Sequence, residues 1–357
     1  MMKTFVVTLV LFTAFFAGAE MTKCPKPETS SDIREKTKLL KTFTIEYWKI
    51  ASAAVTKLPA PLQRKGFVVG DFHFNNVGLY YNYAKNKSEL VLNDFDDAAG
   101  INFLLVDIMK FITYVKKIDK EVDFDEVFKS YQQGLVQSGD LVFPSELLNE
   151  SQHDFNKNTQ KYLVNRREEF VKFDKSTITL EQNSKIQALM RLKIISQLAH
   201  VEYMVKINDS GSSKDMERFE FIGQDRNGTT GLIEFKKLKC SATGSALEQD
   251  LSANFEYIRQ SYLKNFSPLV ANQFTYRLRD ETFLVRQKAY NLLKKLEIEK
   301  QSTKNLQKYA NFFAAFLGTV HIKSADNAYI KALAAHDEEI LKLAKEISKK
   351  FIQSVRD

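Results

Sequence analysis

Most of this chain carries the apolar pattern of amphipathic helices, and short strand-like runs interrupt that pattern in two regions. Apolar residues at three- and four-residue steps lie on one face of a helix, whereas the interruptions are short and bounded by polar turns. The two kinds of segment together predict an α+β fold. The predicted helices cover 32–58, 103–116, 124–136, 146–173, 180–205, 246–263 and, as two helices broken near 324–327, 305–355. The predicted strands cover 67–69, 77–83, 89–92, 218–222, 231–237 and 282–287, with a hairpin turn at 85–88.

Composition excludes several classes of protein. Of the 357 residues, 44% are hydrophobic, which is too apolar for a disordered chain. Thirteen glycines and six prolines are too few for a turn-rich β-sandwich. The net charge of +8 is spread over alternating acids and bases with no dense basic run, so we expect no nucleic-acid partner.

The N-terminus has the three parts of a secretory signal peptide. Lys3 precedes an apolar stretch over 5–17, and small residues follow at 17–19. We therefore expect export to the periplasm or the extracellular space, a mature chain that begins near Glu20, and no transmembrane anchor after processing. In an oxidising compartment Cys24 and Cys240 either pair or remain separate thiols, and the sequence leaves both open.

Two polar clusters follow strand-like runs and contain the residues best suited to chemistry. Residues 70–76 read Gly-Asp-Phe-His-Phe-Asn-Asn, and residues 93–97 read Asn-Asp-Phe-Asp-Asp. Asp71 and Asn76 have the spacing of a phosphotransferase catalytic loop, in which the Asp accepts the hydroxyl proton and the Asn holds a metal. Asp94 then matches the later metal-binding Asp, which predicts a Mg²⁺ site.

His73 and Asp96 complete these clusters as candidate catalytic and metal-binding residues. Asp and Asn are also common in surface turns, which is the simpler interpretation of either cluster alone. A calcium loop is disfavoured because the spacing of an EF-hand is absent from the sequence.

A phosphotransferase also needs a lysine on a strand to hold the nucleotide phosphates. The segment before Asp71 is helical, but the predicted strand 231–237 contains Lys236, and the following helix contains Glu248 as a candidate carboxylate partner. The catalytic loop therefore precedes the nucleotide-binding half. The simpler interpretation of Lys236 is an exposed lysine at the end of a strand.

Four segments resemble a bacterial family of unknown function within the protein-kinase-like superfamily, near the aminoglycoside and choline kinases. They are residues 92–98, 106–108, 283–287 and 317–326, and the resemblance covers about residues 40–330. It implies a circularly permuted kinase-like fold with a large helix-rich lobe and a small β-containing lobe. The implied division is 1–19 signal peptide, 20–206 helical lobe, 207–296 nucleotide lobe and 297–357 C-terminal helices.

The resemblance also implies ATP and Mg²⁺ as cofactors. Gly211 is what remains of the family's glycine-rich segment, and Arg286 is either a phosphate ligand or a salt-bridged structural residue. The leading expectation is a phosphotransferase acting on an unknown acceptor. Two alternatives stay open: a catalytically inactive kinase-like binding module, and a metal-dependent hydrolase.

Overall fold

The computed structural model describes nine stretches of the chain. They are residues 44–82, 87–92, 102–137, 152–207, 217–226, 228, 230–237, 273–288 and 297–355. The predicted signal peptide, both cysteines and the predicted helix 246–263 lie outside these stretches. So do four of the candidate site residues, which are Asp94, Asp96, Gly211 and Glu248.

Helices and antiparallel strands follow one another in separate blocks along the chain, and the fold class is α+β, as predicted. The helices are α1 Thr44–Val55, α2 Leu104–Ile118, α3 Phe124–Val136, α4 Gln152–Lys172, α5 Leu180–Met190, α6 Lys193–Ser196, α7 Thr303–His321, α8 Asn327–Ala335 and α9 Asp337–Ser354. The strands are β1 Lys65–Gly66, β2 Val77–Asn82, β3 Lys87–Leu92, β4 Asn102–Phe103, β5 Ala199–Ile207, β6 Glu217–Gln224, β7 Thr230–Lys237, β8 Gln273–Leu278 and β9 Glu281–Lys288.

The helical body is built around α2, which is buried on all sides from Leu104 to Val115. Such a helix packs on several neighbours at once. Helices α1, α3, α7, α8 and α9 contribute side chains to the same core. The short β1–β4 pair and the β2–β3 hairpin complete the body, and the hairpin register joins Val77 to Leu92.

A five-stranded antiparallel sheet with the order β5-β6-β7-β9-β8 forms the second unit. One face packs phenylalanines such as Phe219 and Phe235 against Ile186 and Leu189 of α5. The other face packs on α4 through residues such as Leu163. The predicted boundary at residue 207 falls at the last residue of β5, and the helices that cover the sheet begin at α4.

Several predicted elements are confirmed within a few residues. These are α2, α3, the β2–β3 hairpin and strands β6, β7 and β9. The single helix predicted over 180–205 is wrong, because the chain forms α5, α6 and then β5 there. Residues 67–69 are not a strand, and β8 was not predicted.

The C-terminal tail contains a second break that the sequence pattern did not predict, because His336 separates α8 from α9. None of the helices in the described stretches is both long and apolar enough to span a bilayer.

Candidate functional site

The loop at residues 70–76 is fixed by its own backbone. Gly70 adopts a φ of +84°, in the left-handed region that glycine occupies without steric cost. Its carbonyl accepts a hydrogen bond from the Trp48 indole at 2.6 Å. The backbone amides of Val69 and Gly70 donate to the two carboxylate oxygens of Asp107, at 2.5 Å and 2.9 Å. The chain therefore enters the loop in one defined conformation.

Asp107 is itself held by a buried row of polar side chains. His321 Nε2 lies 3.2 Å from Asp107 Oδ2, and Tyr131 Oη lies 2.9 Å from His321 Nδ1. Tyr329 extends the row at 3.2 Å from Tyr131 Oη. Burial raises the pKa of both tyrosines, which keeps them as neutral hydroxyls. The row joins the loop entrance to α3, α7 and α8.

Alternate residues of the loop face in opposite directions. Phe72 packs in the core with a ring-centroid distance of 5.1 Å to Phe111, and Phe74 lies 5.0 Å from Phe313. The side chains of Asp71 and His73 lie together on the other side. The two phenylalanines thus anchor the loop and fix the direction of Asp71.

Asp71 is a buried carboxylate with three polar neighbours. Lys110 of α2 forms an ion pair with its Oδ1. His73 Nε2 lies 3.2 Å from Oδ2, and the Asn76 amide donates to the Asp71 backbone carbonyl at 2.9 Å and to Oδ2 at 3.4 Å. The predicted residues Asp71, His73 and Asn76 are therefore brought together, and Lys110 joins them.

The charge of Asp71 is decided by two opposing effects. Burial disfavours the carboxylate, but the positive charge of Lys110 and the contact with His73 outweigh burial and lower the pKa of Asp71 well below its usual range. Asp71 is consequently ionised at neutral pH.

His73 has a defined donor and acceptor. Its Nδ1 accepts a hydrogen bond from the backbone amide of Asn75 at 3.2 Å, which caps the short 3₁₀ turn at 74–76. The neutral ring therefore carries its proton on Nε2 and donates toward Asp71. His73 thus holds the orientation of the carboxylate.

Glu299 closes one side of the loop. Its Oε1 accepts a hydrogen bond from Asn75 Nδ2 at 3.1 Å and another from the Tyr114 hydroxyl. Burial and the charge of Glu299 raise the pKa of Tyr114, so this hydroxyl remains a donor. Glu299 connects the segment before α7 to the loop at residues 70–76.

The described part of the predicted metal site is Asn76. Its Nδ2 is held by Asp71, and within the described stretches its Oδ1 accepts no hydrogen bond. An amide oxygen is a hard ligand that suits Mg²⁺. The partner carboxylates Asp94 and Asp96 lie outside the described residues. Within those stretches, His, Cys, Asp and Glu side chains form no cluster of three or more that suits a metal ion.

Lys236 and Arg286 belong to the sheet. Lys236 is fully buried in β7 and is in register with Leu284 of β9. Leu284 is part of the core of the helical body, so this end of the sheet meets that body. Arg286 Nε lies 2.6 Å from Glu234 Oε1, which is the salt-bridged arrangement considered for it. Gly211 and Glu248 lie outside the described residues.

Glu234 is the centre of a buried charge cluster on the α4-facing side of the sheet. Lys288 contacts Glu234 at 2.8 Å and Glu220 at 3.0 Å. Burial opposes the charge of Glu234, but Arg286 and Lys288 lower its pKa well below its usual range. The charge cluster consists of Arg166, Arg218, Glu220, Glu234, Arg286 and Lys288.

Sequence reasoning assigned no role in the site to Lys110, Asp107, Glu299 or Glu234, although Asp107 lies in the segment 106–108 that carries the family resemblance. Lys110 and Asp107 interrupt an otherwise apolar helix, and a charge on a buried helix face is a signal that it has a partner. Glu234 is a charged residue between apolar residues of β7, which likewise indicates a charged partner. Glu299 lies in a polar segment without any such signal.

Residues 265–357, about a quarter of the chain, match a family described as an uncharacterised protein conserved in bacteria (DUF2252). This match supports the resemblance to a bacterial family of unknown function, and it includes Glu299, α7, α8 and α9. No curated protein and no solved structure matches the chain.

Proposed function

We propose that this chain is an exported, kinase-like phosphotransferase that uses ATP and Mg²⁺ on an acceptor hydroxyl or amine. The observation that carries the proposal is Asp71. It is a buried, ionised carboxylate whose position is fixed by Lys110, His73 and Asn76. A carboxylate held in this way is suited to orient an acceptor and receive its proton.

The low pKa of Asp71 defines the role proposed for it. A weakly basic carboxylate accepts a hydrogen bond from the acceptor and takes its proton only late in the reaction. That is sufficient for phosphoryl transfer, whose transition state is loose and places little demand on the base. Lys110 keeps Asp71 ionised, and His73 keeps its Oδ2 in place.

Asn76 is proposed as a metal ligand through its Oδ1. The hydrogen bonds from Nδ2 to Asp71 fix the plane of the amide and direct Oδ1 away from the carboxylate. Asp94, with Asp96 beside it, is proposed to supply the carboxylate. Mg²⁺-ATP bound there would supply the phosphoryl group and neutralise its charge.

Lys236, with Gly211, Glu248 and Arg286, is proposed to hold the nucleotide in a circularly permuted kinase-like fold. Its support is the position of Lys236 at the end of the sheet where Leu284 joins the core of the helical body. The Glu234–Arg286 ion pair holds Arg286 close to this end of the sheet. In this proposal, Lys236 approaches Asp94 across one cleft.

A catalytically inactive binding module is the second candidate function. The observation that favours it is that both carboxylate oxygens of Asp71 already contact groups of this chain. A metal-dependent hydrolase has less support, because the His, Cys, Asp and Glu side chains of the described residues form no cluster of three or more that suits a metal ion.

The first experiment is a thermal-shift measurement with ATP and Mg²⁺, each alone and together. We expect a shift that needs both, followed by phosphorylated products in a mass-spectrometric search of an envelope extract with labelled ATP. If neither ATP nor Mg²⁺, alone or together, shifts the melting temperature, the result favours the inactive binding module. A shift with Mg²⁺ alone would favour the hydrolase.

The second experiment separates chemistry from binding with Asp71→Asn and Asp94→Asn. Asp71→Asn should lower turnover by about 10²–10⁴-fold with little change in nucleotide affinity, because it removes the proton acceptor. Asp94→Asn should also weaken the Mg²⁺-dependent part of nucleotide binding. The exposed Asp280→Asn is the matched control and should change neither.

The two variants also test the division of roles. If Asp71→Asn weakens Mg²⁺-ATP binding as much as Asp94→Asn does, the division of roles is wrong. If folded variants of both bind and turn over as the wild type does, the phosphotransferase proposal fails.

A further inference from the structure

A pocket of about 330 Å³ opens between the C-terminal end of α2 and the middle of α9. Its floor is apolar and contains Ile112, Phe124, Leu341 and Ala344. The volume is at the lower end of the range of about 300–1,000 Å³ in which small-molecule sites fall. A ligand of this size would bury an apolar group against the floor.

Four lysines line the same pocket: Lys116, Lys117, Lys120 and Lys345. Lys116 Nζ lies 4.0 Å from the centre of the Phe124 ring, so it spans the edge of the apolar floor. Lys120 pairs with Glu121 at 3.8 Å in solvent. Within the described part of the chain, no carboxylate lies within ion-pair distance of Lys116 or Lys345. The pocket thus concentrates positive charge above an apolar surface.

The charges of Lys116 and Lys345 act on each other. Partial burial and the repulsion from Lys345 lower the pKa of Lys116, and Glu121 offsets this only in part. An anion between the two lysines would relieve this repulsion.

The position of these lysines in their helices does not account for the cluster. Lys116 and Lys117 lie in the last turn of α2, where cations complement the helix dipole. Lys345 comes from the middle of α9, where the dipole has no such effect. Two helices therefore contribute charge to one pocket.

We propose that this pocket binds an amphipathic anion, in which a phosphate or carboxylate group is attached to an apolar chain or ring. The anionic group would lie between Lys116 and Lys345, with the hydroxyl of Ser348 as a further donor at the rim. The apolar part would lie on Phe124 and Leu341.

The pocket is separate from the catalytic loop. Lys110, which contacts Asp71, lies six residues before Lys116 on α2, about 9 Å along the helix axis and on a different face. The proposal therefore does not depend on the proposed phosphotransferase activity.

The test is calorimetric titration of the full-length mature chain with octyl phosphate and with octanoate. Inorganic phosphate is the head-group control and 1-octanol is the tail control. We expect both amphiphiles to bind, and both controls to bind at least about tenfold more weakly, because each lacks half of the contacts.

Three variants locate the binding. Lys116→Gln combined with Lys345→Gln should weaken octyl phosphate binding by about tenfold or more, the effect of losing charged donors. Ser348→Trp should weaken it by filling the pocket without a change of charge. Lys342→Gln, on the exposed side of α9, is the matched control and should bind as the wild type does.

Vesicles distinguish the source of the ligand. If the wild type binds octyl phosphate in solution and the double variant does not, the ligand is a free amphiphile. Binding only to vesicles of phosphatidylcholine with phosphatidylglycerol, again lost in the double variant, supports a lipid head group in a bilayer. Equal binding by the wild type and the double variant, no binding to any probe, or equal affinity for inorganic and octyl phosphate would overturn the proposal.

Discussion

Asp71 is a buried acid that remains charged because Lys110 and His73 together oppose the effect of burial. The two side chains come from a loop and from the central helix, and each is almost completely removed from water. Separating a buried ion pair leaves one charge without compensation, which is far more costly than losing a pair on the surface. The state of the proposed catalytic residue therefore depends on a side chain of α2.

We predict that Lys110→Met lowers the free energy of unfolding by about 3–5 kcal/mol at neutral pH, as expected when one partner of a buried pair is removed. In the variant, burial acts on Asp71 without the charge of Lys110, so the folded pKa of Asp71 rises relative to the wild type. The variant should then regain stability relative to the wild type as the pH falls. Urea unfolding between neutral and acid pH measures this difference.

In the wild type, the contribution of Asp71 to the free energy of unfolding has the opposite dependence on pH. Its folded pKa is lowered, so the contribution of Asp71 is present above the unfolded pKa and is lost as the pH falls through the folded pKa. Lys49→Met, on an exposed part of α1, is the control. A stability difference between Lys110→Met and the wild type that does not change with pH would contradict the prediction.

At the scale of elements, α3 and α7 cross at two glycines. A Cβ atom added to Gly134 would lie 2.0 Å from the backbone oxygen of Ala315, and one added to Gly318 would lie 2.3 Å from that of Tyr131. Backbone atoms cannot move aside as a flexible side chain can. The close approach of the two helices is thus possible only with glycine at these positions.

We predict that Gly134→Ala destabilises the protein by about 2 kcal/mol, although alanine is the better helix former by about 1 kcal/mol. Chemical denaturation of the variant measures this loss. Gly231→Ala is the control, because its added Cβ would meet its nearest neighbour, Gln287 Nε2, only at 3.9 Å. A Gly134→Ala protein as stable as the wild type would show that the helices separate at little cost.

The sheet depends in the same way on Glu234, which neutralises Arg286 and Lys288. We predict that Glu234→Gln lowers the free energy of unfolding by about 3–5 kcal/mol at pH 7. The wild-type carboxylate of Glu234 contributes to the free energy of unfolding above its unfolded pKa of about 4.3. This contribution is lost as the pH falls through the lower folded pKa of Glu234. The two proteins should therefore converge in stability at low pH.

The exposed Glu346→Gln on α9 is the control for this measurement, and its stability should follow that of the wild type at every pH. If the difference between Glu234→Gln and the wild type stays constant down to acid pH, the charge of Glu234 does not stabilise the sheet.

At the scale of the whole molecule, a helical body and a five-stranded sheet meet near Leu284. The sequence pattern of residues 1–19 predicts a signal peptide before both. We predict that exported protein begins at or near Glu20, which N-terminal sequencing of the secreted or periplasmic fraction will test. An exported chain that still begins at Met1 would contradict export through a cleaved signal peptide.

Local patterns were sufficient to predict many elements of this protein. Helix α3 was predicted with its observed bounds, and the conjunction of Asp71, His73 and Asn76 followed from their short spacing. In both cases the relevant contacts join residues only a few positions apart. The periodicity and spacing of residues in a sequence can predict contacts between residues that are this close along the chain.

Tertiary structure alone decided the partners of the buried charges. Lys110 lies 39 residues from Asp71, and Glu299 lies 185 residues from Tyr114. Packing selects such partners, because no local pattern encodes which distant group compensates a desolvated charge. Residues 199–205 were predicted as part of the helix 180–205, but they belong to β5, in which Val201, Tyr203 and Val205 alternate and pack on one face of the sheet. Pairing with β6 satisfies the backbone of this segment within the sheet.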